Sequence, residues 1–143
     1  MIRGVIHNTL GEVLGKHAAE IGDRVFLTFR DKAYTYQEVD KLTNRVAHGL
    51  AALGISKGDH VGLLLGNCTE FVWSMFGLAK IGAVAVPFNT AAKGELLGYF
   101  LNHSKVTVLI AEENLITRCE NFVSTSTQLQ SVVSVPDPTG VQP

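Results

Sequence analysis

Apolar residues recur along the chain in two rhythms, and the switch between them predicts the fold. From Leu10 to Ile21 the inward positions fall three and four apart (Leu10, Val13, Leu14, His17, Ala18, Ile21), which is one face of a helix that Gly22 is placed to end. A start signal precedes it. In Thr9-Leu10-Gly11-Glu12 a Thr hydroxyl and a Glu carboxylate can each satisfy a free helix-end N–H. The period then drops to two: Val25, Leu27 and Phe29 alternate with Phe26 and Thr28. Arg30-Asp31-Lys32 turns the chain into Ala33-Tyr34-Thr35, which predicts a β-hairpin. A second capping box, Thr35-Tyr36-Gln37-Glu38, opens another helix. Its apolar stripe is Val39, Leu42, Val46, Leu50 and Leu53, running to Gly54. Lys41, Asn44, Arg45 and His48 are left for water or a neighbouring domain.

From His60 onward short apolar runs without alternation take over, each followed by a helical pattern. His60–Leu65, Ala83–Val86 and Val106–Ala111 read as strands buried on both faces, and Val132–Val135 as a fourth strand. The helices between them are expected from Glu70 to the C′ residue Gly82, from Glu95 to His103, and from Glu112 to Val123. Leu96, Leu97, Phe100 and Leu101 should point inward from the second of these, and Leu115, Ile116, Cys119 and Phe122 from the third. Pro87 has no N–H to give a ladder and should end its strand, leaving Phe88-Asn89-Thr90 as a loop at a carboxyl edge, where open α/β sheets bind ligands. Ser124–Gln130 reads as a polar loop. The alternation predicts an α/β fold, a parallel sheet with helices on both faces plus an N-terminal β-hairpin. It spans residues 1–135, with 136–143 a disordered tail.

Composition narrows this picture. The 143 residues suit one domain with a real core, and 46% apolar against 17% charged residues excludes a disordered chain. A net charge of −1 without any basic block argues against a nucleic-acid surface. Cys68 and Cys119 lack metal-ligand spacing and read as reduced thiols of a cytoplasmic protein. The first residues lack the apolar core of a signal peptide, and Phe71–Phe88, the one span near membrane length, is interrupted by Lys80 and closed by Pro87.

Candidate chemistry is sparse. Gly54-Ile55-Ser56-Lys57-Gly58 has the residue types of a phosphate loop but joins a helix to a strand, the reverse of the order a P-loop needs, so it reads as a turn. No G-x-G-x-x-G occurs, which counts against a dinucleotide-dependent oxidoreductase. Asn67 and Thr69 stand where a strand hands over to a helix; capping is their expected role, with Asn67 bordering a ligand crevice as the alternative. Glu112-Glu113 reads as a helix-end charge pair, and the five histidines show no ligand spacing, His17 being a partly buried helix residue. Trp73, Met75 and Phe76 read as core. These residues alone give an α/β module with no nucleophile–base pair, metal cluster or phosphate cradle.

Several stretches, in order, resemble the opening motifs of the adenylate-forming superfamily: AMP-forming acyl-CoA synthetases, luciferases and peptide-synthetase adenylation domains. Tyr34-Thr35-Tyr36-Gln37-Glu38-Val39 is similar to its "(L/Y)(T/S)Y-x-E-(L/V)" helix start, and Leu78 to Asn89 to its "L-A-x-x-x-G-A-V-x-V-P-x-N". Gly58-Asp59-His60-Val61 and Asn67-Cys68-Thr69-Glu70-Phe71 match "G-D-x-V" and "N-x-x-E-F", while Asn89 to Leu96 and Asn102-His103-Ser104 look like the acyl-CoA synthetase branch. The resemblance implies the first subdomain of the adenylate-forming fold and a carboxylic acid–CoA ligase using ATP, Mg²⁺ and CoA. The acid and ATP would give an acyl-adenylate, and the CoA thiol would then displace AMP. The superfamily's phosphate loop and catalytic lysine have no counterpart in these residues. The chain is therefore expected to be an incomplete part of such an enzyme, inactive alone, with the rest of the N-terminal domain and the C-terminal domain as partners. The alternative is a free-standing α/β binding module derived from one. Some relatives carry an arginine two residues after the motif's Asn, contacting a CoA phosphate; Ala91 stands there, and Lys93 is the nearby candidate to replace it.

Overall fold

Both capping boxes form, and they set where the first half of the chain turns helical. The computed structural model describes residues 9–119 and 128–136. Thr9 Oγ1 accepts the Glu12 N–H at 3.2 Å while the Glu12 carboxylate accepts the Thr9 N–H at 2.8 Å, starting α1 (Leu10–Ile21). Thr35 and Glu38 repeat the exchange at 3.3 and 2.8 Å and start α2 (Tyr36–Ala52). Between these helices β1 (Val25–Phe29) and β2 (Lys32–Thr35) form the expected antiparallel hairpin. The register slips between Val25 and Leu27, so the strict alternation breaks. Phe26 and Leu27 both pack against the small core of Leu14, Val39 and Trp73, and Val25 is left 57% exposed.

The remainder is a parallel α/β layer built from β3 (His60–Leu64), α3 (Thr69–Ile81), β4 (Val84–Pro87), α4 (Gly94–His103), β5 (Val108–Glu112), α5 (Glu113–Ile116) and β6 (Ser131–Val135). The strands lie in the order β4-β3-β5-β6, all parallel. Neighbouring side chains on a strand point to opposite faces, and the two cores sort accordingly. Val61, Leu63, Val108 and Ile110 join Leu50 and Leu78 on the α2/α3 face; Leu64, Leu109 and Ala111 join Leu97, Leu101 and Leu115 on the α4/α5 face. The crossovers share one hand, as the right-handed rule requires: the step from β3 to β4 puts its helix on one face, and the steps toward β6 put theirs on the other. Gly82, at φ 73°, takes the left-handed conformation that ends α3. Gly77 lets α2 and α3 approach, since a Cβ there would stand 2.7 Å from Val46 Cγ1.

Several expectations are corrected. Among the described residues β4 is an edge strand, half-exposed rather than buried on both faces, with Val84 at 41% and β3 alone pairing with it. Pro87 belongs to the strand instead of following it, which an edge permits. Leu10, Leu53 and Leu96 face outward, at 58, 60 and 53%. Leu10 and Leu53 sit at helix termini, beyond the packed turns. Leu96 shares an outer face with Tyr99, because α4 buries Leu97 and Leu101. The helix expected over Glu112–Val123 starts at Glu113, because β5 runs on to include Glu112, and among the described residues it ends at Ile116. Phe122, most of the Ser124–Gln130 loop and residues 137–143 lie outside the described residues.

Candidate functional site

The carboxyl edge of the sheet gathers three segments: Gly66–Cys68 after β3, Phe88–Lys93 after β4, and Glu112 at the end of β5. Glu112, 7% exposed, accepts the Gly66 N–H on its carboxylate at 2.5 Å. A buried carboxylate thus ties the exits of two adjacent strands. A side chain at 66 would stand 3.1 Å from Glu112 Oε1, so glycine suits the position. Glu112 is therefore a strand-end acceptor that also occupies the N-cap position of α5, with Glu113 in the first turn, so both acids stand at the start of that helix as expected.

Neither Asn67 nor Thr69 caps α3. The cap position is Cys68, which has no side-chain cap hydrogen bond, and Thr69 Oγ1 instead donates to the Glu70 carboxylate at 3.1 Å. Asn67 is exposed at the rim of a pocket of about 260 Å³ whose walls include Phe29, Leu65, Phe71 and Val72. Cys68 lies in the same wall, and burial pushes its thiol up from the ordinary range.

The loop after β4 is held from within and from outside. Asn89 Oδ1 accepts the Ala91 N–H at 2.9 Å, the Asn89 carbonyl accepts the Ala92 N–H at 2.9 Å, and Arg118 donates to the Thr90 carbonyl at 2.8 Å. Lys93 is exposed at the cap position of α4, beside a helix start without a side-chain cap. It and Asn67 thus follow adjacent strands on one edge. Arg118 was not singled out by sequence reasoning, because its partner is a backbone carbonyl 28 residues away.

Other polar groups are committed to structure. Ser56 donates its N–H and hydroxyl to the Asp59 carboxylate, closing the Gly54–Gly58 turn; the backbone donor, then the hydroxyl, lower the Asp59 acid from its usual value. His60 Nδ1 meets the Ser104 carbonyl at 2.6 Å, and the half-buried His17 stands edge-on to Tyr36. Lys80 Nζ reaches Asp40 Oδ1 and Asn44 Oδ1, each at 2.6 Å, with its stem lying under Gly11 of α1. Among the described residues no group of three His, Cys, Asp or Glu is placed to hold a metal ion, and no helix is long and apolar enough to cross a membrane. Lys93 and Glu95 both stand at the start of α4, where no side-chain cap forms.

The AMP-binding enzyme family model matches residues 14–141. The chain belongs to this family. Over 109 residues it is 40% identical to the medium/long-chain-fatty-acid–CoA ligase FadD6 of Mycobacterium tuberculosis, covering 76% of this chain and 18% of that protein. Over 98 residues it is 40% identical to the crotonobetaine/carnitine–CoA ligase of Salmonella paratyphi B, covering 65% and 19%. Among solved structures, the anthranilate CoA ligase AuaEII in complex with anthranoyl-AMP matches at a TM-score of 0.83 and 28% identity, over 90% of this chain and 25% of that one. The N-terminal domain of FACL13 from Mycobacterium tuberculosis matches at 0.81 and 30%, over 90% and 33%. The chain spans about a fifth of the length of the relatives it matches, 18 and 19% for these two.

Proposed function

We propose that these residues serve as the opening subdomain of an AMP-forming carboxylic acid–CoA ligase, supplying a ligand-facing sheet edge while the rest of the enzyme supplies the phosphate loop and catalytic lysine. The observation that carries this reading is the ordered carboxyl edge. The motif loop Phe88–Lys93 is fixed by Asn89 and Arg118, and it presents Lys93 beside the uncapped start of α4. In this reading Lys93 attracts a CoA phosphate in place of the arginine absent at Ala91, and Asn67 borders the crevice. ATP, Mg²⁺ and the acid are engaged largely by residues outside this chain. When bound, ATP supplies the activation that turns the acid's hydroxide into a better leaving group.

A chimera tests it: residues of this chain replace the matching 109-residue stretch of FadD6. The chimera should make acyl-CoA from a medium- or long-chain fatty acid, and Lys93→Ala in it should raise KM for CoA about fivefold with kcat kept, as loss of one exposed charge contact allows. The chain by itself should show no pyrophosphate exchange with ATP and any acid. An inactive, folded chimera, or exchange by the isolated chain, would overturn the proposal.

A further inference from the structure

The loop after β4 keeps its shape through bonds of its own, but its place on the sheet edge is set from outside. Asn89 closes the turn with its side chain and its carbonyl, onto the N–H groups of Ala91 and Ala92. Those bonds would survive a shift of the whole turn. Between residues 89 and 93 only Ala92 is buried, and Gly94, at φ 56° with open space around it, forms a joint between the loop and α4. The tie to the rest of the chain is Arg118, whose Nη1 donates to the Thr90 carbonyl at 2.8 Å. Strand pairing cannot supply it, because β3 lies between β4 and β5 and no ladder joins the exits of those two strands. The arginine stands on a firm base. Its own N–H donates to the Leu115 carbonyl at 3.1 Å, the Cys119 N–H donates to Ile116 at 2.8 Å, and Leu115 and Cys119 are buried. A packed mount thus holds a loop that has little packing of its own.

We infer that Arg118 is a positioning residue for the CoA-dependent step: it sets where Lys93 stands and acts through the loop. This rests on the ligase reading above, in which Lys93 attracts a CoA phosphate. Lys93 follows the anchored Thr90 carbonyl closely in the chain, is exposed, and has no carboxylate partner among the described residues. Its location therefore depends on the course of the loop. A guanidinium suits the task, because its donors are directional and its charge strengthens the bond to a carbonyl. It also stays charged at any working pH, so the placement of Lys93 carries no pH dependence from its anchor. A lysine side chain is long enough to follow a small displacement, so losing the anchor weakens the attraction for CoA without abolishing turnover. Glu112 performs the parallel task for Gly66 at the exit of β3 and serves as an internal reference.

Two variants read the anchor. Arg118→Met keeps the stem and removes every donor; Arg118→Lys keeps one charged donor. In the FadD6 chimera Arg118→Met should raise KM for CoA about threefold, with no comparable change in kcat or in KM for ATP, and Arg118→Lys should recover part of the rise. A variant that merely loosened the fold would move all three constants, and that result overturns the inference. Combined with Lys93→Ala, Arg118→Met should add nothing to the effect of Lys93→Ala alone, since the group it places is gone. Additive losses would make Arg118 a separate contact and overturn the inference. An unchanged KM beside a clear Lys93→Ala effect would do the same and leave the ligase reading standing. A folded chimera without activity counts against the ligase reading, and hydrogen exchange in the chain itself then decides. There Arg118→Met should speed exchange of the Ala91 and Ala92 amides about fivefold or more, while the Gly66 amide, held by Glu112 on the neighbouring loop, keeps its parent rate. Parent rates at Ala91 and Ala92, or an equal rise at Gly66, would overturn the anchor. Should Arg118→Met not fold, Arg118→Gln, too short to reach Thr90, replaces it in both measurements with the same outcomes decisive.

Discussion

Glu112 and Gly66 are 46 residues apart in sequence, yet the carboxylate of one receives the backbone N–H of the other at 2.5 Å. The bond locks the ends of β5 and β3 together where the sheet meets its loops. Glu112→Ala leaves the part-buried Gly66 N–H without that partner and should cost about 1–2 kcal/mol, whereas Glu112→Gln keeps an acceptor and should cost under half of that. Chemical denaturation of the two variants measures the difference.

Lys80 and Asp40 pair at 2.6 Å with side chains 12 and 24% exposed, which places the contact between a solvated ion pair and a buried one. Lys80→Met preserves the stem under Gly11 and removes the charge; the expected loss is about 1–2 kcal/mol. A double-mutant cycle with Asp40→Asn should return a coupling near 1 kcal/mol, roughly half the single loss.

The cap of α2 carries a pH signature. The Thr35 N–H, then its hydroxyl, lower the Glu38 acid from its usual value against the opposing effect of burial. A carboxyl with a depressed folded-state pKa stabilises the fold above its unfolded pKa and loses that contribution as pH falls through the folded one. Thr35→Ala should therefore lower stability by about 1 kcal/mol at neutral pH, and the gap from the parent should shrink as the solution is acidified through the carboxylate range. Thermal melts across that range read both effects.

Gly77 is a packing glycine, and Gly77→Ala should cost about 1–3 kcal/mol by pressing on Val46. Val46→Ala in the same chain should recover part of the loss, because the clash with Val46 Cγ1 is removed while the Ala47 nitrogen remains 3.3 Å from the new methyl. Failure of any recovery would mean that backbone contact dominates.

Both cysteines should be slow to alkylate in the native protein and fast in denaturant. Burial raises the pKa of each thiol, against a lowering by the Phe71 N–H at Cys68 and by Arg118 at Cys119. Timed alkylation with and without guanidinium gives the ratio.

Local signals in the sequence were read well where the interaction itself is local. Thr9 with Glu12, Thr35 with Glu38, and Gly82 after α3 each act within a turn of helix, so spacing alone places them. The unbroken apolar runs marked the parallel strands for the same reason. What failed depends on neighbours remote in the chain. β4 looked interior from its composition, but strand order puts it at an edge. At the register shift between Val25 and Leu27, Phe26 and Leu27 both pack on the core of Leu14, Val39 and Trp73, residues distant in the chain that the hairpin's own pattern does not reveal. In the candidate site, the loop around Asn89 was legible through its motif and Lys93 through its position. Glu112, Arg118 and Lys80 were not, because their partners lie 46, 28 and 36 or 40 residues away.

The position of Pro87 has a consequence for how this sheet can grow. Val84 donates its N–H to the Asp59 carbonyl and Phe88 donates to Leu63, so every second amide of β4 turns toward β3. The intervening positions, 85 and 87, turn away, and Pro87 has no hydrogen to offer. An incoming strand would find one donor, at Ala85, on that whole margin. β4 is a sealed hem, while β6 retains the amides of a strand free of proline. Among the described strands, β6 is thus the edge that keeps its outward amides, and a strand joining the sheet would meet more donors there than at β4.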